Sequence, residues 1–292
     1  MEELLVSVII TTYGRGESLL IQAINSVLEQ TYENIELIVV DDNGIGSNQQ
    51  LYNARLLSQY NDIVYICNEK NNGVQYSRNV GILKSKGAYV AFLDDDDVWF
   101  KEKIYKQVEL LEKENLGMVF CNGYRFQDNN YEQVTIYQKN FISDKLISFD
   151  LELENDHIGS TSNPLIRKEC FAQTGLFDLS MPARQDYDMW IRICKYYKVK
   201  GIDEPLFYYR SHSGTRITKS EKKSFDSHML LWKKYMNEYK KNRYAKANAM
   251  LAMAIPSFKM NNYVRAIYFS FKALISNPIY TIKFILGKRE VF

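Results

Sequence analysis

The sequence predicts an α/β fold with a largely parallel sheet flanked by helices. Two patterns in its first 97 residues predict it. Short, β-branched apolar runs alternate with stretches whose apolar residues recur at helical spacing. Three of those runs end in polar clusters, at 11–13, 41–43 and 94–97. In open α/β sheets ligands bind beyond the carboxyl ends of the strands, so function is expected at that edge.

The elements follow in order. Residues 4–10 read as a buried strand that Thr11-Thr12-Tyr13-Gly14 ends. Leu20, Ile21, Ile24, Val27 and Leu28 line one face of a helix over 17–29. A second strand, 35–40, closes in Asp41-Asp42-Asn43-Gly44, and a helix follows over about 49–58. A third strand, 63–67, precedes a helix over 73–84 that Gly87 stops. The fourth, 88–93, runs into four aspartates. Beyond it come a helix over 100–114, a strand at 118–121, a helix over 186–197 and a short strand at 206–210. Residues 124–160 carry no clear period and are expected to shape an acceptor cleft. From 219 to 276 the pattern is helical, with Asn261-Asn262 separating a helical hairpin. That pair is reminiscent of one tetratricopeptide unit, but no repeat follows it. The division predicted is a domain over 1–218 and a helical extension over 219–292.

The chain has 292 residues, 46% hydrophobic and 25% charged, with net charge +2. Those values exclude disorder, a collagen and a polytopic membrane protein. Cys67, Cys121, Cys170 and Cys194 form no C-x-x-C pair, which argues against zinc and a disulfide framework. They are expected to be small core residues. The acidic Met1-Glu2-Glu3 start and the lack of a long apolar run predict a cytoplasmic protein. Charge is uneven. Residues 219–292 hold 15 Lys+Arg against 4 Asp+Glu, a net of +11, and residues 1–218 hold 22 against 31, a net of −9. The basic part suits an anionic membrane surface or is a solvated helical face. No nucleic-acid reader motif accompanies it.

Common cofactor motifs are missing. Gly14-Arg15-Gly16 starts like a dinucleotide fingerprint, but Leu19 stands where the third glycine belongs. No P-loop or G-x-S-x-G is present, and His157, His212 and His228 lack zincin spacing.

The chemical signal is Asp94-Asp95-Asp96-Asp97, directly after an apolar strand. Four adjacent negative charges repel, and a divalent cation relieves them. Strand geometry would put Asp94 and Asp96 on one face and Asp95 and Asp97 on the other. Oxygen ligands so spaced suit Mg²⁺ or Mn²⁺ completed by substrate phosphates. A solvated acidic turn is the alternative.

Five segments, residues 6–13, 39–44, 73–79 and 93–97 and the block Gln185-Asp186-Tyr187-Asp188-Met189-Trp190, carry a likeness. Together they resemble glycosyltransferase family 2, inverting enzymes of the GT-A fold, especially members that build bacterial surface polysaccharide. The resemblance implies a Rossmann-like sheet over about 4–215 and a nucleotide-sugar donor, most often UDP-linked. The acceptor would be a lipid-linked saccharide at the cytoplasmic membrane face. Thr11 and Tyr13 would contact base and ribose. Asp41 and Asp42, the latter above all, would receive the uracil imide, although these residues also suit a turn. Arg78 would approach the phosphate or pair with the aspartates. Asp94 and Asp96 would hold Mn²⁺ or Mg²⁺, with Asp95 on the ribose and His212 as a further ligand. Asp186 would be the general base, or else an N-cap. The family usually has Glu where Gln185 stands. Asp188 and Arg192 are expected to form a surface pair, and Trp99 and Trp190 to pack or wall the cleft. A scaffold protein on a degenerate transferase fold and a nucleotidyltransferase are the competing classes. An intact Asp94/Asp96/Asp186 set opposes the first, and the lack of a basic triphosphate loop opposes the second.

Overall fold

The structure is a computed structural model that describes residues 3–127, 130–139, 141–211 and 220–287. It divides into two compact units. The first takes in Met1–Ile147, Ile158–Phe177 and Ile193–Ser213; the second takes in Ser148–His157, Asp178–Arg192 and Gly214–Phe292.

The first unit opens with β1 (Val6–Thr12), whose seven residues are all buried, as a β-branched run between layers should be. Then come α1 (Glu17–Leu28), β2 (Ile35–Asp41), α2 (Asn48–Leu57), β3 (Ile63–Cys67), α3 (Val74–Lys84) and β4 (Tyr89–Asp94). Leu20, Ala23, Ile24 and Val27 bury one stripe of α1 against the sheet. Ser47 caps α2 by accepting from Gln50 N at 3.2 Å. Gly73 enters α3 at φ 90°, a conformation that favours glycine.

β5 (Val98–Trp99), α4 (Lys103–Lys113), β6 (Met118–Gln127) and β7 (Asn130–Ile136) complete the middle. After α5 (Phe149–Glu154), in the second unit, come β8 (Leu165–Arg167), α6 (Cys170–Thr174), α7 (Gln185–Tyr196) and β9 (Val199–Ser211). The strand order is β3-β2-β1-β4-β8-β6-β9-β5, with β7 paired to β6. The first four strands are all parallel. Past β4 the sheet is mixed, because β8 runs antiparallel to both β4 and β6. Thus the expectation of parallel strands describes the first half.

Two sequence readings change. The short strand at 206–210 is the end of β9, which spans 13 residues. Its pairing with β6 shifts register between Cys121 and Asn122, opposite Ile202 and Pro205. That bulge accommodates Asp203-Glu204, which had interrupted the apolar pattern. The segment 124–160 resolves into the end of β6, its antiparallel partner β7, and α5. Trp99 is a packing residue: it is buried, its indole N–H donates to Ser162 O at 2.7 Å, and Lys103 Nζ lies 4.0 Å from its ring centroid.

The second unit joins α5 and the start of α7 to α8 (Glu221–Lys234), α9 (Met236–Lys241), α10 (Arg243–Lys259), α11 (Tyr263–Ser276) and α12 (Pro278–Ile285). Leu153, Tyr187, Ile191, Leu231 and Tyr235 form one core cluster. Ala247, Met250, Met253 and Ala273 form another, within the α10–α11 hairpin. α12 lies past the expected helix end. Asn277 starts it by accepting from Tyr280 N at 3.1 Å, and Pro278 fits its first turn.

Asp188 is fully buried rather than at the surface. It pairs with Arg192 at 2.9 Å and Lys234 at 2.7 Å, and accepts from Tyr235 Oη at 3.0 Å. Three donors offset the cost of burying this charge.

His228, on α8, is 5% exposed, and burial pushes its pKa well below the usual imidazole range, with Arg184 adding to the shift. The unfolded chain takes up this proton below about pH 6.5, whereas the native state refuses it. Stability therefore falls as pH drops from about 7 to 5, by up to ~1.4 kcal/mol per pH unit from this residue. Urea midpoints across that range check it. The wild-type slope should exceed that of His228→Gln, which keeps every carboxylate but not the imidazole.

Candidate functional site

The parallel strands of the first unit deliver three sequence motifs to one edge. Register pairs Thr12 with Asp41 and Thr11 with Asp94. Thr11 therefore lies inside β1, almost wholly buried, and not in the loop beyond it. Tyr13 stands past the strand end and is 59% exposed. Gly14 N donates to Asn43 Oδ1 at 2.8 Å, tying the first loop to the second.

Asp41 and Asp42 differ in what they have left to offer. Asp41 Oδ1 accepts from Asn43 N at 2.8 Å and Asn43 Nδ2 at 2.7 Å. Its Oδ2 accepts from Asn53 Nδ2 and Tyr65 Oη, both at 2.8 Å. A carboxylate has about four acceptor positions, so Asp41 is filled by its own fold. Asp42 accepts three bonds: from Asn68 Nδ2 at 2.7 Å, Asn72 N at 3.0 Å and Gly73 N at 2.8 Å. About one acceptor position remains.

The aspartates do not continue as a strand. β4 ends at Asp94, and Asp97 N donates back to Asp94 O at 3.1 Å, closing a turn. The expected alternation of faces is lost, since one guanidinium meets two consecutive carboxylates. Arg15 places Nε 2.8 Å from Asp95 Oδ1 and Nη2 3.0 Å from Asp96 Oδ2. Burial opposes the charge on Arg15, yet Asp95 and Asp96 hold its pKa above the ordinary value. Burial also pushes Asp95 up to about 6, against the pull of Arg15. Asp97 is driven well above the carboxylate range by burial and by Asp96 and Asp94. It accepts from Ser162 Oγ at 2.6 Å and Arg210 N at 2.9 Å.

Arg78 pairs with Asp94, Nη2 to Oδ1 at 2.7 Å, the second of the two roles its position allowed. Nη2 also donates to Thr161 Oγ1 at 2.8 Å. Its Nη1 is buried without a hydrogen-bond partner among the described residues. An orphaned buried donor calls for an explanation, and an anionic ligand oxygen supplies one.

Two contributors escaped the sequence reading. Arg15 is the only Lys or Arg among the first 54 residues, a signal that was available. The run Ser160-Thr161-Ser162-Asn163 is buried against the turn, with Ser162 Oγ also accepting from Asp94 N at 3.1 Å. Nothing local marks it, because its partners in the turn lie over 60 residues away in sequence.

Asp186 belongs to the second unit and sits in the first turn of α7, so it is not the residue that caps the helix. It is half-buried, and its Oδ1 accepts from Tyr187 N at 2.8 Å. Arg184, two residues before it, has φ 54°, a left-handed conformation that costs a non-glycine residue about 1 kcal/mol. Such outliers gather at functional sites. Trp190 is fully buried. His212 lies outside the described residues.

Asp94 and Asp96 offer oxygen donors of the hard type that Mg²⁺ and Mn²⁺ prefer. Among the described residues no group of three or more His, Cys, Asp or Glu side chains is set to enclose an ion. An ion there would draw its remaining ligands from substrate oxygens or water, which is how Mg²⁺ is usually held.

The model of glycosyl transferase family 2 matches residues 7–175. A protein of Rickettsia felis named as an uncharacterized glycosyltransferase is 31% identical over 237 residues, which are 80% of this chain and 38% of that one. The chain thus spans well under half the length of that relative. The Escherichia coli protein WfgD, named as a UDP-Glc:alpha-D-GlcNAc-diphosphoundecaprenol beta-1,3-glucosyltransferase, is 31% identical over 205 residues, 70% of this chain and 75% of its own. Among solved structures, S. aureus TarS 1–349 superposes with TM-score 0.65 at 14% identity, covering 97% of this chain and 92% of that one. That likeness shows a shared fold, the GT-A fold. The same protein in complex with UDP-GlcNAc gives 0.61.

Ser162→Ala tests how the turn is held. It removes a buried donor to Asp97 and leaves Asp94 N unpaired, at a cost of about 1–3 kcal/mol. Urea denaturation should show the loss as a lower midpoint with an unchanged slope.

Proposed function

The chain belongs to glycosyl transferase family 2, and on that premise we propose that it moves a sugar, with inversion, from a UDP-sugar to a hydroxyl of a lipid-linked saccharide in bacterial surface-polysaccharide synthesis. The observation that carries this reading is the β4 turn, where Asp94, Asp95 and Asp96 are met by Arg15 and Arg78 at the strand edge that also holds Asp42. Two relatives' names add support: WfgD takes UDP-Glc and a diphosphoundecaprenol-linked acceptor, and TarS has been seen with UDP-GlcNAc.

In this reading the remaining acceptor position of Asp42 receives the uracil N–H. Asp41 acts through the loop it holds in place. Thr11 and Tyr13 flank the base, and Asp95 faces the ribose. The orphaned Nη1 of Arg78 meets a phosphate oxygen. Asp94 and Asp96 would hold Mn²⁺ or Mg²⁺, with His212 as a further candidate. When bound, the ion offsets charge on the departing nucleoside diphosphate. Asp186 is the proposed base. It takes the proton of the acceptor hydroxyl as that oxygen bonds to the anomeric carbon, and the bond from that carbon to the diphosphate breaks. The missing family glutamate at Gln185 leaves this carboxylate in place.

Thermal unfolding with UDP, GDP, dTDP and CMP, each with and without Mn²⁺, tests the donor site. At ~100 times its Kd a ligand stabilises by ~2.7 kcal/mol. UDP should raise the Tm with Mn²⁺ present and much less without it. A shift with another nucleotide alone overturns the UDP assignment, and no shift with any overturns the donor site and favours a degenerate scaffold. Asp186→Asn should keep the UDP shift and lose about 10²–10⁴ in turnover. The released product should be nucleoside diphosphate; pyrophosphate would mean a nucleotidyltransferase instead.

A further inference from the structure

The α11–α12 segment of the second unit is built inside out. Ala266 and Ala273, two turns apart, are what α11 buries. Its large apolar residues point away: Val264, Ile267, Phe271 and Ile275, with Ile279 and Ile285 on α12, are between 60% and 83% exposed. On α11 they recur at spacings of three and four, so they form one stripe. Soluble chains rarely expose so many large apolar side chains together without a partner for them.

Charge says what that partner is. Between Glu238 and Glu290 the sequence has no acidic residue and ten basic ones. Lys272 and Lys283 are exposed on the same two helices as the apolar residues. A second copy of the chain would bring like charges against like, whereas an anionic bilayer attracts them. No helix among the described residues is long and apolar enough to cross a membrane. An apolar stripe with lysines beside it, on helices too short to span, is the pattern of an element lying in the lipid interface.

We propose that α11 and α12 dock on an anionic lipid surface, burying the stripe through Ile267, Phe271 and Ile279 among the acyl chains while Lys272 and Lys283 meet lipid phosphates. The docking does not depend on the donor-site reading, because none of its residues belongs to that site.

Flotation of the full chain with vesicles tests it, using phosphatidylcholine alone and equal parts phosphatidylcholine and phosphatidylglycerol. The wild type should rise with the anionic vesicles and progressively less as salt is added. Each lysine near an anionic surface is worth about fivefold in partitioning, so K272Q/K283Q should lower it about 25-fold. I267E/F271E should abolish flotation without lowering the urea midpoint, since both side chains are already exposed. Three results overturn the proposal. They are a wild type that stays down with anionic vesicles, an I267E/F271E protein that floats as well as the wild type, and a dimer in sedimentation that I267E/F271E abolishes while no vesicle is bound. The last result gives the face to a second copy. The nucleotide-dependent Tm shift, measured on the same variants, keeps a failure here separate from a failure of the donor site.

Discussion

The first unit is organised around a concentration of negative charge. Four carboxylates follow one another at the end of β4. At 4 Å, two unit charges interact by ~4 kcal/mol at the effective dielectric of a protein surface. The fold answers each carboxylate differently. Arg15 bridges Asp95 and Asp96, Arg78 takes Asp94, and Asp97 is buried against Ser162 Oγ and the Arg210 backbone. Arg210 Nε also donates to Asp96 O at 2.8 Å, so β9 is fastened to the turn from the far side. Four separate parts of the sequence hold this one tetrapeptide: the loop after β1, α3, the segment before β8 and the end of β9. This explains why Thr161 and Ser162 are buried although both are polar: their hydroxyls complete the bonding of the turn.

Parallel pairing made much of this edge legible in the sequence. When β1, β2 and β4 run the same way, their carboxyl ends must meet, so three polar clusters far apart in sequence become neighbours once the strands are recognised. Each strand was recognisable because apolar residues, many of them β-branched, make up most of its length. The limits of that reasoning appear where pairing becomes mixed. β9 carries Asp203, Glu204 and Pro205 within its length, and only the bulge opposite Cys121 and Asn122 lets it continue. A bulge belongs to two strands at once, so neither strand announces it alone.

Long-range partners were the other gap. Arg15 looked like part of a failed dinucleotide motif, and its meaning depends on Asp95, 80 residues on. Arg78 was readable because its two possible partners, phosphate and carboxylate, are both anions, and the structure adds that one part of the guanidinium serves Asp94 while Nη1 stays unmatched. A guanidinium can do both because its donors point in fixed, separate directions, which a lysine ammonium cannot reproduce.

The acidic block on α7 shows how two aspartates two residues apart come to differ. Asp188 is fully buried and satisfied by Arg192, Lys234 and Tyr235, so its charge is matched within its own unit. Removing either cation would leave this buried charge uncompensated. Its contribution is to fix the first turns of α7 against α8. Asp186 Oδ1 accepts from Tyr187 N, and Arg184, two residues earlier, is held at positive φ. The helix start is therefore anchored through Asp188 and strained at Arg184. For the base role proposed for Asp186, position matters before pKa, and that residue stands in the same first turn of α7 that Asp188 anchors.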